Sequence, residues 1–462
     1  MRKLILLLLL AVSLDIYSQE KMTYESVNDA TYNFYLKKNW NELIRLGEKA
    51  IRNNIDFYYL RYRLGVAYYK THKYGRAINN LENIFDINPE DDDLNAYLYY
   101  SFLLSGRADE AEIYFSELSE SVKDKIRPAN NSFINNLFTE SGFGFNNDIS
   151  KNESVDIDGV DDYYGEQILN GDYFYFRTGL KQIPLKRISV KYNYSYLNLK
   201  KTKVISFNDS KIHDDYSQKQ NQFYNEITLN TGKGILISPA GHYVNVFDNT
   251  IYPNYDSATY IFDSLSMNYK LNEAYYTITR KDSELNNFVL SLDVSKHFEK
   301  FKAGVNGSFS YLNDKHQTQA GISFTYMPGE NLNFYTVSNL VLHNQNSISN
   351  LIFTQQIGGS IINKFYYNLF FTYGKMENYN EQNGALVFNN PDITKIKFGA
   401  ELNYYFPFNL NAYFVYLMQL KEKKYYEYRL TEYQSGFPLY SPVTSKLDYN
   451  TNIILLGLKY LF

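Results

Sequence analysis

Beyond about residue 130, apolar and polar side chains alternate with a period of two, the pattern of a half-buried strand. Ile188, Val190, Tyr192, Tyr194 and Tyr196 interleave with Ser189, Lys191, Asn193 and Ser195. Ile396, Phe398, Ala400, Leu402 and Tyr404 interleave with Lys395, Lys397, Gly399, Glu401 and Asn403. Runs of this kind predict fourteen strands, starting near residues 133, 171, 186, 219, 235, 284, 300, 315, 331, 349, 363, 394, 409 and 450. Sixteen is the alternative, because the stretch from Tyr260 to Tyr269 can supply one more hairpin. Pro239 weakens the strand that carries it, since proline removes a ladder donor.

Ahead of residue 130 the apolar period is that of amphipathic helices, and it recurs every 34 residues. Ala30, Leu64 and Leu98 form one column, Phe34, Tyr68 and Phe102 a second, Leu43, Ala77 and Ala111 a third, and Pro89 closes the middle unit. Helix pairs at this period resemble tetratricopeptide repeats, most specifically where Leu64-Gly65, Tyr68, Ala77, Leu81 and Pro89 stand at the consensus spacing. Thr31 and Tyr99 replace the glycine in the flanking units, as terminal repeats often do. The resemblance implies three repeats within residues 20–122, whose first helices line a groove with Tyr32, Tyr35, Tyr59, Tyr62, Tyr69 and Tyr100. Tyrosine offers apolar area and a hydroxyl at low entropic cost, so such a groove suits a peptide segment of a protein partner or a sugar chain. The same rings could instead pack between helices.

Composition narrows the class. Lys and Arg number 46 against 50 Asp and Glu, a net charge of −4, which argues against dedicated nucleic-acid binding. Aromatic residues make up 18% of the chain, far too many for intrinsic disorder. With no cysteine there is no disulfide framework and no thiolate chemistry. Residues 1–18 read as a signal peptide: Arg2 and Lys3, the apolar run Leu4 to Val12, then a short polar stretch. No later segment has the length and apolarity of a spanning helix, so a membrane-resident mature chain must cross as a closed barrel. The expected fold is therefore an α-solenoid of three repeats, a linker at 123–131, and a transmembrane antiparallel β-barrel over residues 132–462.

Short connections near Ile183-Pro184, Gly232-Lys233, Glu299-Lys300, Pro328-Gly329, Ser360-Ile361 and Pro407-Phe408 alternate with longer ones at 146–168, 200–217, 249–283, 377–393 and 423–449. Short periplasmic turns and long outer loops are the rule for barrels in the outer membrane of Gram-negative bacteria, which puts both barrel ends and the repeats in the periplasm. On the polar face, Arg177, Lys191, Glu226, Asp293, Lys302, Lys395, Lys397, Glu401 and Lys459 are expected to line a pore, with Tyr173, Tyr175, Tyr224, Tyr366 and Tyr405 on the same side. Both charge signs are present, so no ion preference follows. The alternation Ile454, Leu456, Leu458, Tyr460, Phe462 resembles the signal read by the barrel-assembly machinery, with Leu458, Tyr460 and Phe462 as its core.

No constellation for catalysis, metal or cofactor emerges. His72, His213, His242, His297, His316 and His343 are scattered without ligand spacing. Ser154, Asp156, Asp158 and Gly159 approach a calcium-loop start, but Ser154 replaces the first Asp and Glu166 comes one residue late. In domain order the chain resembles the exopolysaccharide exporters for cellulose and poly-N-acetylglucosamine and the smaller YaiO-like outer-membrane proteins. That resemblance implies a non-enzymatic polymer conduit whose repeats recruit a periplasmic partner; with three repeats rather than many, a long scaffold is not implied. The rival reading is a membrane anchor, its barrel closed by inward loops or side chains, whose groove holds a periplasmic protein.

Overall fold

The computed structural model describes residues 22–126, 134–146, 149–155, 162–208, 210–389 and 392–462. Residues 1–18, read as a signal peptide, residues 127–131 of the segment read as linker, and Asp156, Asp158 and Gly159 lie outside the described residues. The chain divides into two units, Met1–Ala129 with Pro328–Leu332, and Asn130–Met327 with Asn333–Phe462.

Among the described residues the first unit holds seven helices: α1 Tyr24–Leu36, α2 Trp40–Arg52, α3 Tyr58–Lys70, α4 Tyr74–Phe85, α5 Asp92–Leu104, α6 Ala108–Glu117 and α7 Glu120–Ile126. Among the described residues no helix is long and apolar enough to cross a membrane. The segment read as linker thus begins inside α7. The first helices of the three pairs begin at Tyr24, Tyr58 and Asp92 and the second at Trp40, Tyr74 and Ala108, so the sequence period is also the structural period. The turns repeat as well: Lys38, His72 and Gly106 take positive φ (55°, 61° and 79°). Immediately after them, the N–H groups of Asn39, Lys73 and Arg107 donate to the carbonyls of Phe34, Tyr68 and Phe102 at 2.9 Å. A left-handed residue closing each first helix lets its last carbonyls find donors, which fixes where the second helix departs.

Packing follows the columns. Leu43, Ala77 and Ala111 are fully buried, and Leu64 and Leu98 nearly so. Gly65 is small because Leu81 sits against it: a Cβ there would lie 2.5 Å from Leu81 Cδ2. Trp40, the chain's single tryptophan, lies in this unit and packs edge-on against Tyr35 with ring centroids 5.8 Å apart. Gly65→Val should therefore destabilise the helical unit by about 1–3 kcal/mol through overpacking. Urea unfolding of the full chain followed by Trp40 fluorescence checks this; an unshifted midpoint contradicts the packing.

The second unit is a closed antiparallel barrel of fourteen strands. They are β1 Ile134–Asn146, β2 Asp162–Leu185, β3 Ile188–Phe207, β4 Ser210–Gly232, β5 Ile235–Asp263, β6 Asn268–His297, β7 Phe301–Leu312, β8 Lys315–Tyr326, β9 Phe334–Gln345, β10 Ile348–Ile362, β11 Phe365–Met376, β14 Ile393–Tyr405, β15 Leu410–Gln434 and β16 Phe437–Leu461. The remaining two, β12 Tyr379–Glu381 and β13 Leu386–Phe388, form a separate two-stranded sheet. The ring closes where β16 pairs with β1, Thr139 opposite Leu458 and Asn136 opposite Leu461, and Phe462 N–H donates to Asn135 O at 3.0 Å. Outward positions are apolar and uncovered, Leu290 at 58% and Leu456 at 60% exposure among them, while inward positions are mostly polar and buried.

Strand lengths differ from the sequence reading in one way. β7, β8, β9 and β11 have 12 residues each, close to the roughly 9–11 that a tilted strand needs to cross a bilayer. β6 has 30, β15 and β16 have 25 each, and the others near them are also long. Segments 200–217, 249–283 and 423–449, read as loops, are continuous two-stranded extensions joined by tight turns such as Ser435-Gly436, both at positive φ (51° and 86°). Tyr260 to Tyr269 belongs to the β5–β6 extension and adds no strand to the ring. In these extensions apolar residues stand next to one another, as in Val204-Ile205 and Tyr260-Ile261-Phe262, so the apolar alternation that marks a strand is missing there. Pro239 sits in β5 where the ladder to β4 is interrupted, between the pairs Glu226 with Ala240 and Leu229 with Ile237, as expected of a residue with no N–H to donate, and the register is the same on both sides of the gap.

Candidate functional site: a hairpin inside the barrel

The connection from β11 to β14 runs into the barrel interior. Gln382, Asn383 and Gly384 all have positive φ and turn β12 back into β13. Near the root, Asn378 is fully buried; its amide donates to Gln345 of β9 at 2.9 Å and accepts from Asn313 at 2.7 Å. Tyr379 packs with Val341, Ile352 and Met376. Asn380 exchanges two 3.1 Å bonds with the Gln319 side chain of β8 through its backbone, and its amide reaches Ser308 of β7, also at 3.1 Å. Glu381 pairs with Lys397 of β14, whose ammonium also lies 4.9 Å from the centre of the Phe388 ring.

The tip is held by the opposite wall. Asn383 donates from its amide to Glu226 (3.0 Å) and to the carbonyl of Ser238 (2.8 Å), and its own carbonyl accepts from Tyr224 (3.2 Å) and Ser291 (2.7 Å). His242 Nδ1 donates to Gly384 O at 2.7 Å. In a ring of fourteen strands, β4 stands seven strands away from β11, so the tip touches the wall diametrically across from its own root. A hairpin bonded to β4, β5, β6, β7, β8, β9 and β14 occupies the cross-section rather than one side of it.

Of the nine charged residues expected in the lumen, all but Lys395 lie on the inner face. Arg177 pairs with Glu140 at 2.9 Å, and Glu140 also accepts from Tyr413 at 2.7 Å. Lys191 stands opposite Glu226 and beside the Tyr224 ring, and Lys459 is opposite Phe138, over which Arg177 lies. Asp293 and Lys302 share the face of Ser291 and Ser308, which touch the hairpin, and Glu401 accepts from Asn403 at 2.5 Å. Lys395 is turned outward by a bulge: the register passes from Thr394 with Lys421 to Ile396 with Leu420. It pairs instead with Glu422 (2.9 Å) and Asp448 (2.7 Å). Tyr173, Tyr175, Tyr224, Tyr366 and Tyr405 are on the inner face too; Tyr173 packs over Gly144, and Tyr366 and Tyr405 pack edge-on.

A second closure lies at the end of the barrel opposite its chain ends. Above β14 the edge of β15 pairs with the start of β2, Tyr426 with Glu166 and Tyr428 with Tyr164. Tyr164, Ile205 and Ile251 form a buried cluster with Phe207, Tyr276 and Tyr428. Glu166, the late glutamate of the calcium-like stretch, pairs with Lys203 at 2.8 Å and accepts from Tyr426 at 2.7 Å. His213 sits on Glu153 at 2.9 Å, and His343 is buried inside the barrel with its ring edge-on to Tyr379.

In the helical unit, Arg63 draws the tyrosines together. Its guanidinium donates to Asn28 O and Thr31 Oγ1 at 3.0 Å and lies under the rings of Tyr32 and Tyr59. Burial, reinforced for Tyr62 by the neighbouring Tyr35 and Asp93, pushes the hydroxyls of Tyr35 and Tyr62 above the usual tyrosine range, so they stay neutral donors. Tyr97 and Asp93, which the sequence reading omitted, face the same space. Tyr69 packs edge-on against Tyr74 and Tyr97, and Tyr100 is bound to Ile126 O at 3.0 Å, so these two are engaged within the fold.

No family model matches the chain, and no curated protein matches it. Among solved structures, a FadL homologue from Pseudomonas aeruginosa aligns over 71% of this chain and 90% of its own, at 7% identity and a TM-score of 0.43. The TodX deltaS2S3 mutant, a monoaromatic hydrocarbon channel, aligns over 71% and 91% at 8% identity and a TM-score of 0.41.

The hairpin's docking is testable at its tip. Asn383→Ala removes the two amide bonds to Glu226 and Ser238 O, worth about 1–3 kcal/mol where buried partners are left unmade. Proteinase K should then cut residues 377–392 of the folded protein several-fold faster; an unchanged cleavage rate contradicts the docking.

Proposed function

We propose that this chain is an outer-membrane protein whose barrel is closed at rest by the inserted hairpin. In this reading the apolar outer face meets lipid, the end holding the β1 and β16 chain ends faces the periplasm, and the barrel-assembly machinery reads Leu458, Tyr460 and Phe462. The helix pairs act as tetratricopeptide-like repeats in the periplasm, gripping an extended segment of a protein partner against Tyr32, Tyr35, Tyr59 and Tyr62. Withdrawal of the hairpin opens a polar path for a solute or polymer, exopolysaccharide being the polymer that the domain order favours. The chain carries out no covalent chemistry.

The observation that carries the reading is the bonding of Asn383 and Gly384 to the far wall, through Tyr224, Glu226, Ser238, His242 and Ser291. A conduit held open would leave those wall groups to water. The pairing of β15 with β2 across the other end favours a second reading, a permanently closed anchor that serves only to present the groove.

Conductance in planar bilayers separates the two. The native chain should be nearly silent, and replacing residues 379–388 by a short Gly-Ser linker should give steady steps in the first reading and continued silence in the second. Large steps from the native chain contradict both. For the groove, Tyr59→Ala with Tyr62→Ala should abolish partner capture with the Trp40 unfolding midpoint kept; a collapsed midpoint returns these rings to a packing role.

A further inference from the structure

Beyond the hairpin root, where β14 begins, Asp392 interacts electrostatically with three lysines, Lys201 of β3 and Lys421 and Lys423 of β15, and Asp248 of β5 acts on Lys201. Asp392 is saturated. Lys423 Nζ lies 3.3 Å from both its oxygens, the Asn170 amide donates at 2.6 Å, and the Tyr449 hydroxyl donates at 2.5 Å. That leaves Lys201 and Lys421 in excess. Among the described residues neither has a hydrogen-bond or ion-pair partner, although Lys201 is only 8% exposed. Lys201 stands opposite Asn170 in the β2–β3 ladder, and Lys421 opposite Thr394, two residues from Asp392, so both belong to the space around that carboxylate.

Acceptors are left over in the same space. Asp248 accepts from Gln218 at 3.2 Å through Oδ2, but among the described residues its buried Oδ1 has no partner, nor has Asn170 Oδ1. Buried acceptor atoms without partners are costly unless something supplies the missing bonds. What satisfies two free ammonium donors and two free acceptors at once is an oxyanion carried beside hydroxyl groups: the anion takes the lysines, and the hydroxyls donate to Asp248 and Asn170.

We propose that Lys201, Lys421, Asp248 and Asn170 form a binding site for an acidic polyol, a solute with a carboxylate or phosphate next to hydroxyls. The site depends on folding alone and not on whether the barrel conducts.

The test is calorimetry on the full-length folded protein in detergent, titrated with glucuronate, glucose 6-phosphate, glucose, acetate and inorganic phosphate. At least one of the two sugar acids should bind with a submillimolar Kd, and the pair tells a carboxylate site from a phosphate site. Glucose, acetate and phosphate should each bind at least about tenfold more weakly, about 1.4 kcal/mol. Lys201→Gln with Lys421→Gln should weaken the sugar acid by at least about tenfold while the barrel keeps its heat-modifiable gel mobility; if that pair loses the mobility, Lys421→Gln alone serves. The proposal is overturned if neither sugar acid binds by about 10 mM, if glucose or a simple anion binds as tightly, or if the folded variant binds unchanged.

Discussion

Everything in the second unit depends on one closure, the ladder between β16 and β1. An open ring would leave two edges of unpaired backbone N–H and C=O groups, and only the meeting of the first and last strands removes them. The eleven pairs from Asn136 with Leu461 to Asn146 with Thr451 meet that demand, and they set the register that turns Leu456, Leu458 and Tyr460 outward. Once the outside is apolar, alternation makes the inside polar. The interior then has its own requirement, because its amides, hydroxyls and charges need partners.

The hairpin meets much of that requirement. Its short polar segment, Asn378 to Asn383, engages side chains or carbonyls on seven strands, and the one buried charge it brings, Glu381, is matched by Lys397. Nearer the chain-end side, Arg177 with Glu140 and Tyr413 closes another polar set. On the proposed reading, transport through a lumen filled in this way requires the same bonds to be exchanged for water or solute. The many single bonds at the tip, each modest in net energy, suit such an exchange better than a few strong pairs would.

Much of this was legible beforehand. The period of two fixed the strand faces, and the number of strands followed; eight of nine lumen charges fell on the inner face because pairing preserves parity from strand to strand. Lys395 escaped because a one-residue bulge inverts parity, and nothing in Thr394-Lys395-Ile396 announces it. The 34-residue columns carried over to helix starts and even to turn dihedrals. The strand extensions were taken for loops, since their apolar residues come side by side, as in Val204-Ile205 and Tyr260-Ile261-Phe262, instead of alternating. The inserted hairpin did leave a trace: Asn383-Gly384 between Tyr379-Asn380-Glu381 and Leu386-Val387-Phe388 is a hairpin turn sequence. Its destination was not readable, because the partners, Tyr224 to Ser291, are separated from it by more than ninety residues.

The account stands on the hairpin tip touching the far wall, and the absence of cysteine makes that directly measurable. A Cβ at Gly384 would lie 3.7 Å from Ser291 Cβ, within the range that a disulfide spans. Gly384→Cys with Ser291→Cys, purified reduced and then mildly oxidised, should form an intramolecular bridge that shifts gel mobility and reverses with dithiothreitol. Two thiols that stay free and react with maleimide as fast as unfolded cysteines would contradict a hairpin crossing the barrel.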